Sequence, residues 1–430
     1  MLHARVALYE ATWEKYHRGT AFVPGGSGWP GKDAQGYDAD VEINYFLDEA
    51  IAASKFVADQ MVGNLAENTD TPEGMNASLV SINPYYTMFC DENMEGYKEI
   101  LMWQKNLMNH WGITSNLQME LCRNGGGSGW TRGMVNSFLM RNGLPVYASG
   151  SGYNPDWEKE GVVATVQNRD SRLGIFTKKP GDVNYYGDDG TPSICQISLI
   201  FGDAGSLATT GYIVKKGKHY STHMANDHSA GTSGGIVFRG AEAMLIYMEA
   251  SYEKNGTVDG TADGYWRALR TRAKVDPDYN KTIAATNMLE EAKGDFAAYS
   301  HGTMIDPTLY NIRRERRNEL CAEAFRRNSI NVHIQPFAAC GCTNCFCNES
   351  MRVLRYKFLC YLIHMLYHYF PFSFILPPIQ KALFAVILRN GRIAGMTYAI
   401  RTNAELLNQS FSFLSMYTDS LLLWRCSTVI

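Results

Sequence analysis

Helical spacing of apolar residues frames this chain at both ends of its first 330 residues, and a glycine-rich stretch that cannot continue a helix separates them. Ala4, Ala7, Leu8 and Ala11 recur at helical intervals near the start, with Gly19 placed to stop the helix. A second helix is predicted from Val41 to Met61, with Phe46, Ala50, Ala53 and Val57 on one face, and a third from Gly96 to Trp111, carrying Ile100, Trp103, Leu107 and His110. Residues 120–235 are dominated by Gly, Ser, Tyr, Asp and Asn, with short strand-like runs at Gly161–Val166 and Ser193–Phe201. Helical spacing returns at Ile236–Asn255, with Gly256 as its stop, then at Tyr265–Ala273 and Pro307–Arg327. The pattern is a mainly α fold: helical pairs packed face to face, loosely repeat-like, supporting a loop-rich and irregular middle. Long loops within a compact domain are usually functional.

Charge excludes one class of function. With 40 Lys+Arg against 43 Asp+Glu in 430 residues, the chain has no basic excess with which to hold a nucleic acid. Charged residues make up 19%, while 39 Gly, 25 Tyr and 8 Trp stand in their place, which argues against disorder and against a coiled coil.

A sharp break follows. Residues 336–430 hold three acidic and eight basic side chains and six of the ten Cys, against an acidic excess before them. Such a shift marks a boundary. Phe358–Ile379 carries no formal charge and is long enough to span a bilayer, yet Pro371, Pro377 and Pro378 lie inside it. The tail reads as aberrant, out-of-frame sequence rather than as a membrane span. At the other end, Met1-Leu2-His3-Ala4-Arg5 begins inside a helical pattern without a signal peptide, so the chain reads as a fragment lacking its export signal. Four segments are expected: a helical scaffold at 1–119, a loop-rich ligand face at 120–235, a helical segment at 236–328, and the tail at 329–430.

Three motifs hint at chemistry. Gly231-Thr232-Ser233-Gly234-Gly235 matches the G-x-S-x-G nucleophile pattern, which needs a strand before the serine and a helix directly after. A polar loop precedes it, so the run reads as a loop, with a Ser233 hydrolase as the minor alternative. His219, His223, Asp227 and His228 crowd one segment but lack the Glu of H-E-x-x-H. They suit polar contacts better than a metal. Cys340, Cys342, Cys345 and Cys347 have thiolate-cluster spacing but no second matching cluster. No metal or cofactor is expected.

Five stretches, in order, resemble the SusD/RagB family. Leu309–Leu320 (LYNIRRERRNEL), followed by Ala324-Phe325-Arg326, is similar to its IRRERR-x-EL signature. Ala4–Trp13 is similar to a helical-repeat segment, and Val135–Met140 with Asn142–Pro145 to the short SF-M-NG element. Asn168-Arg169-Asp170-Ser171-Arg172-Leu173 resembles RDPRL, with Ser171 in place of Pro. Phe238–Ala243 with Tyr247–Ala250 resembles FR-x-AE…Y-x-EA. The likeness stops after Asn328. It implies tetratricopeptide-like helical pairs under an irregular ligand face. It further implies a non-catalytic outer-membrane lipoprotein that holds glycans at the cell surface for a SusC-like TonB-dependent transporter; some relatives serve peptides instead. The lipid-bearing Cys of such an anchor is not in this sequence. Arg313, Arg314, Glu315, Arg316 and Glu319 would form ion-pair networks.

For the ligand, flat aromatic faces on loops beside hydrogen-bonding groups are the candidates. Trp130, after a Gly/Ser run and near Asn124 and Arg132, meets that description best. Trp29 and Tyr37, Tyr153, Trp157, Tyr185, Tyr186, His219 and Tyr220 complete the set. Trp13, Trp103 and Trp266 sit on helical patterns and are expected in the core.

Overall fold

The computed structural model describes residues 1–31, 36–69, 83–107, 129–196, 210–221, 224 and 231–323. These fall in two compact units, one of residues 1–17 and 38–335 and the other of 18–37 and 336–430. The tail, including its cysteine cluster, lies outside the described residues.

Two helices pack together at the start of the first unit. Helix α1 (Leu2–Tyr16) presents Ala4, Ala7, Leu8 and Ala11 to α2 (Ala39–Met61). The Asp38 side chain starts α2 by accepting from Asp40 N at 2.9 Å and Val41 N at 3.3 Å. The buried stripe of α2 is Ile43, Leu47, Ala50, Ser54 and Ala58; the predicted Phe46, Ala53 and Val57 flank it, half-buried.

Downstream come the short helices α3 (Pro84–Thr87), α4 (Arg132–Ser137), α5 (Trp157–Val166) and α6 (Ser171–Ile175). The long α7 (Gly240–Asn255), α8 (Gly260–Arg272), α9 (Tyr279–Ala285), α10 (Met288–Glu291) and α11 (Pro307–Glu319) follow. Helix α7 is buried on nearly every side, so it carries no single apolar stripe, and its buried Glu242, Glu249 and Glu253 are met by Arg5, Arg313 and Lys15. It packs on α1 and α2 through Ile246 and Ala250, and on α8 and α11 through Met244, Leu245 and Met248 beside Trp266, Leu269 and Ile312. Gly256 ends it at φ +67°, a conformation in which only glycine is unstrained, and its N–H donates to Tyr252 O at 2.8 Å.

Among the described residues strands are few and short: β1 (Ile100–Gln104), β2 (Val183–Tyr186), β3 (Pro192–Ile194), β4 (Gly235–Arg239), β5 (Tyr299–Ser300) and β6 (Thr303–Met304). They form three antiparallel pairs, β1 with β4, β2 with β3, and β5 with β6.

Two predicted elements change type and a third is shortened. The helix expected at Gly96–Trp111 is strand β1, paired Ile100↔Arg239, Met102↔Phe238, Trp103↔Ile236 and Gln104↔Gly235; His110 and Trp111 lie outside the described residues. Four consecutive apolar residues fit either period, and pairing with the β-branched Ile236-Val237 selects the strand. The same pairing shortens the helix expected from Ile236, which starts at Gly240. Trp103 is consequently half-buried rather than core, whereas Trp13 and Trp266 are buried. Gly161–Val166, expected as strand, is the second half of α5, kinked at Gly161 with φ +79°. The Arg169 guanidinium donates to Thr165 O at 3.2 Å and so closes that end of the helix. Of Ser193–Phe201 only the first residues, in β3, are described as strand; 197–201 are not described.

The arginines and glutamates of α11 form the expected networks. Glu319 is buried and accepts from Tyr85 Oη at 3.0 Å, Arg172 Nη1 at 3.0 Å, Arg239 Nη1 at 2.7 Å and Arg272 Nη2 at 2.5 Å. Glu99 holds Arg239 and Arg272 from the other side at 2.9 and 2.5 Å. Glu323 holds Arg239 and Lys216, and Glu315 holds Arg172. Arg313 meets Glu253 and Glu249, Arg316 meets Glu249, Arg314 meets Glu291, and Arg317 meets Asp295. Burial alone would raise the pKa of Glu319, yet Arg272, Arg239, Arg172 and Lys216 hold it well below the usual carboxylate range. Glu253 and Glu323 are likewise held low, against burial, by Arg313 with Lys15 and by Arg239 with Lys216.

These folded-state values lie below the unfolded ones. The stabilisation is therefore complete above the unfolded glutamate pKa of about 4.3 and is lost as pH falls from there towards the depressed values. Glu319→Gln leaves three buried guanidinium groups short of a counter-charge and is expected to cost about 3–5 kcal/mol at neutral pH. It should also flatten the acid limb of the stability curve. Denaturant melts at stepped pH check both, and a variant as stable as its parent at pH 7 would refute the assignment.

Candidate functional site

Three aromatic side chains from separate segments meet around one guanidinium. Thr131 starts α4 by accepting from Met134 N at 3.2 Å, which sets Arg132 in the first turn. Arg132 Nη1 donates to Tyr212 Oη at 2.8 Å and Nη2 to Tyr153 Oη at 2.8 Å. Its guanidinium carbon lies 3.4 Å from the centroid of the Trp157 ring and 5.9 Å from that of Tyr212. Arg132, Tyr153, Trp157 and Tyr212 are all half-buried.

Each partner is held by its own segment. Tyr153 follows Ser151-Gly152, where Asn142 Nδ2 donates to the carbonyls of Gly150 and Ser151 at 3.3 and 3.2 Å and ties the loop down. Trp157 opens α5. Tyr212 lies on a run that pairs with the chain after α6: Lys178 N donates to Ile213 O at 3.0 Å and Lys215 N to Phe176 O at 2.8 Å. Behind Tyr153, Arg169 lies 5.1 Å from the ring centroid and gives its Nη donors to the carbonyls of Thr165, Val135 and Phe138. Burial pulls the Arg169 pKa down to about 10.

Of the residues singled out in the sequence, Arg132, Tyr153 and Trp157 thus come together. Tyr212 joins them unforeseen; its signal was the Tyr-Ile-Val run amid polar loops. A second group gathers Tyr185, Tyr186, His219 and Tyr220. Tyr186 N donates to Tyr220 O at 2.8 Å, and the His219 and Tyr220 rings stack at 4.2 Å. Tyr186 and His219 are buried, so this group offers less surface than the first. Tyr220 hydrogen-bonds Asp91, which also accepts from Tyr97; burial and that carboxylate push the Tyr220 pKa up to about 12. Trp29 and Tyr37 belong to the second unit, where Trp29 N closes a turn on Gly26 O at 3.0 Å. Asn124, His223, Asp227 and His228 lie outside the described residues.

Trp130 requires a correction. It is 7% exposed and packs among Tyr85, Tyr86, Val135, Phe138, Leu173 and Phe176, with Nε1 donating to Thr177 Oγ1 at 3.0 Å. Its ring therefore offers no face to a ligand. Backbone pairing draws it inward: Trp130 N donates to Tyr212 O at 2.8 Å, and a Cβ on neighbouring Gly129 would stand 2.3 Å from Thr210 Oγ1. Trp130 thereby positions Tyr212. The Ser233 motif also lacks its required geometry, since strand β4, not a helix, follows it. Among the described residues no group of three or more His, Cys, Asp or Glu converges to hold a metal ion.

A mainly helical scaffold bearing a loop-borne aromatic cluster around an arginine is the class this geometry defines. The sequence matches the profile of the SusD family over residues 98–329, more than half its length, and the chain belongs to that family. No curated protein sequence matches it. Solved structures similar to it include a SusD-like carbohydrate binding protein from Bacteroides fragilis, at 18% identity and TM-score 0.41, covering 68% of this chain and 50% of that one. A SusD superfamily protein from Parabacteroides distasonis is 13% identical, with TM-score 0.35 and coverage of 75% and 49%. A protein solved with xylogluco-oligosaccharide is 15% identical, with TM-score 0.34 and coverage of 66% and 54%. The chain thus spans about half the length of these structures.

Because the Trp130 ring fills core, Trp130→Ala is expected to cost about 3–5 kcal/mol of stability, the scale for truncating a buried large aromatic. Chemical denaturation measures this, and a loss under about 1 kcal/mol would contradict the packing role.

Proposed function

We propose that this protein binds glycans at the Arg132–Tyr153–Trp157–Tyr212 cluster without turning them over, and hands them to a SusC-like TonB-dependent transporter at the outer membrane. Family membership supports the class and the location. The cluster itself carries the reading. An aromatic face matches the axial C–H surface of a sugar ring, while tyrosine hydroxyls and a guanidinium beside it bond hydroxyl groups. Arg132 fixes the orientations of Trp157, Tyr153 and Tyr212 at once, so little side-chain freedom is lost on binding. Peptide capture, the other habit implied by the family resemblance, would use the same donors but has no dedicated feature here.

Titration calorimetry and affinity electrophoresis against a panel of oligosaccharides, polysaccharides and oligopeptides test the reading. Saccharide binding without product release is expected. Trp157→Ala should weaken it by about 1–3 kcal/mol, taking the scale of aromatic stacking on nucleic-acid bases, with native circular dichroism retained. Release of cleaved product, or binding of peptides alone, would overturn the proposal.

A further inference from the structure

We infer that the saccharide held at this cluster carries a carboxylate, as a uronic acid residue does, and that Arg132 selects it. The inference rests on the glycan-binding reading above and adds the chemical class of the ligand. Arg5, Arg172, Arg239, Arg272 and the arginines of α11 each meet a carboxylate within the protein. Arg132 does not. Among the described residues its hydrogen-bond partners are the two tyrosine hydroxyls, both neutral.

Those bonds use two of the five N–H donors of a guanidinium and leave three. A planar group so fixed, with donors to spare and no counter-charge, is complementary to a planar carboxylate, which it can hold through two parallel bonds. Neighbouring charge points the same way. Arg169, on the Tyr153 ring, spends its Nη donors on backbone carbonyls and adds a second positive charge. Of the described carboxylates close by in sequence, Asp170 is paired with Arg172 and Asp156 with Lys159, while Glu160 accepts from Asn154 Nδ2. Half-burial of Arg132 reduces solvent screening, which strengthens its attraction for an anion. The Trp157 ring orients the guanidinium from one side.

Calorimetry with an oligogalacturonate, the same oligomer after carboxyl reduction, an oligosaccharide sulfate and a Glu-rich peptide tests this. The oligogalacturonate is expected to bind about ten-fold more tightly than its reduced form, the scale of charge-assisted hydrogen bonds, and to lose that margin as salt is raised. Arg132→Gln should loosen the aromatic cluster for both oligomers but bring the two within about three-fold, since the charge-assisted contribution is lost from the acidic ligand alone. Arg132→Lys, which keeps charge but not the planar fork, should fall between them. Equal binding of the acidic and reduced oligomers, or a preference that survives in folded Arg132→Gln, overturns the inference and leaves glycan binding standing. Tighter binding of the sulfate or of the peptide overturns it as well. Failure of every saccharide to bind overturns both readings. Should Arg132→Gln not fold, the comparison of acidic and reduced oligomers on the parent protein still decides.

Discussion

The buried carboxylate of Glu319 is the point on which separated parts of the chain converge. Three guanidinium groups and a tyrosine hydroxyl reach it, from Arg172 on α6, Arg239 at the end of β4, Arg272 at the end of α8 and Tyr85 on α3. Lys216 adds a bond to the Glu319 backbone carbonyl at 3.1 Å. Long-range contacts of this kind are directional: each donor must arrive at a set distance and angle. Satisfying all of them together fixes the mutual placement of six segments of the chain.

The candidate site inherits its geometry from that point through a short chain of contacts. Beside Glu319, Asn318 donates to Ser137 O at 3.0 Å and accepts from Ser137 Oγ at 2.7 Å, gripping the last turn of α4. Arg172 anchors α6, and three residues earlier Arg169 donates to Val135 O and Phe138 O at 2.7 and 2.6 Å, holding the same turn from the other side. Helix α4 is only six residues long and could not hold a shape alone. Clamped at its C-terminal end, it presents Arg132 at the other end to three aromatics. The loops thus carry the side chains of the candidate site while the buried ion network supplies their rigidity.

Much of this scaffold was legible in the sequence, because helix periodicity and stop signals are local properties. Asp306 and Pro307 at the start of α11, and Gly256 at the end of α7, do in the structure what their types predict. Strand β1 was not legible, since its identity depends on a partner more than 130 residues away. Trp130 misled for a related reason. A glycine-flanked aromatic reads as exposed, and only the pairing of its backbone with Tyr212 turns it inward. Tyr212 went unnoticed because no local pattern ties it to Arg132, 80 residues earlier. Residue types announced the chemistry; which of them meet was decided by tertiary pairing.

A core organised around charge has a consequence that an apolar one would not. Desolvating ions is costly, and well-packed hydrophobic residues of similar volume often stabilise a fold as well or better. Hydrophobic attraction is non-directional, however, and would not distinguish the end of α8 from the end of β4 as a neighbour of α11. Here Arg239 and Arg272 share both Glu99 and Glu319, so each carboxylate accepts from two different segments and a slip of either breaks bonds at both. The arrangement trades non-specific burial for a single register. A site whose partners come from α4, the loop before α5, the start of α5 and the run at 210–218 depends on that register, because an error of one residue anywhere in the frame would separate Arg132 from the ring it stacks on.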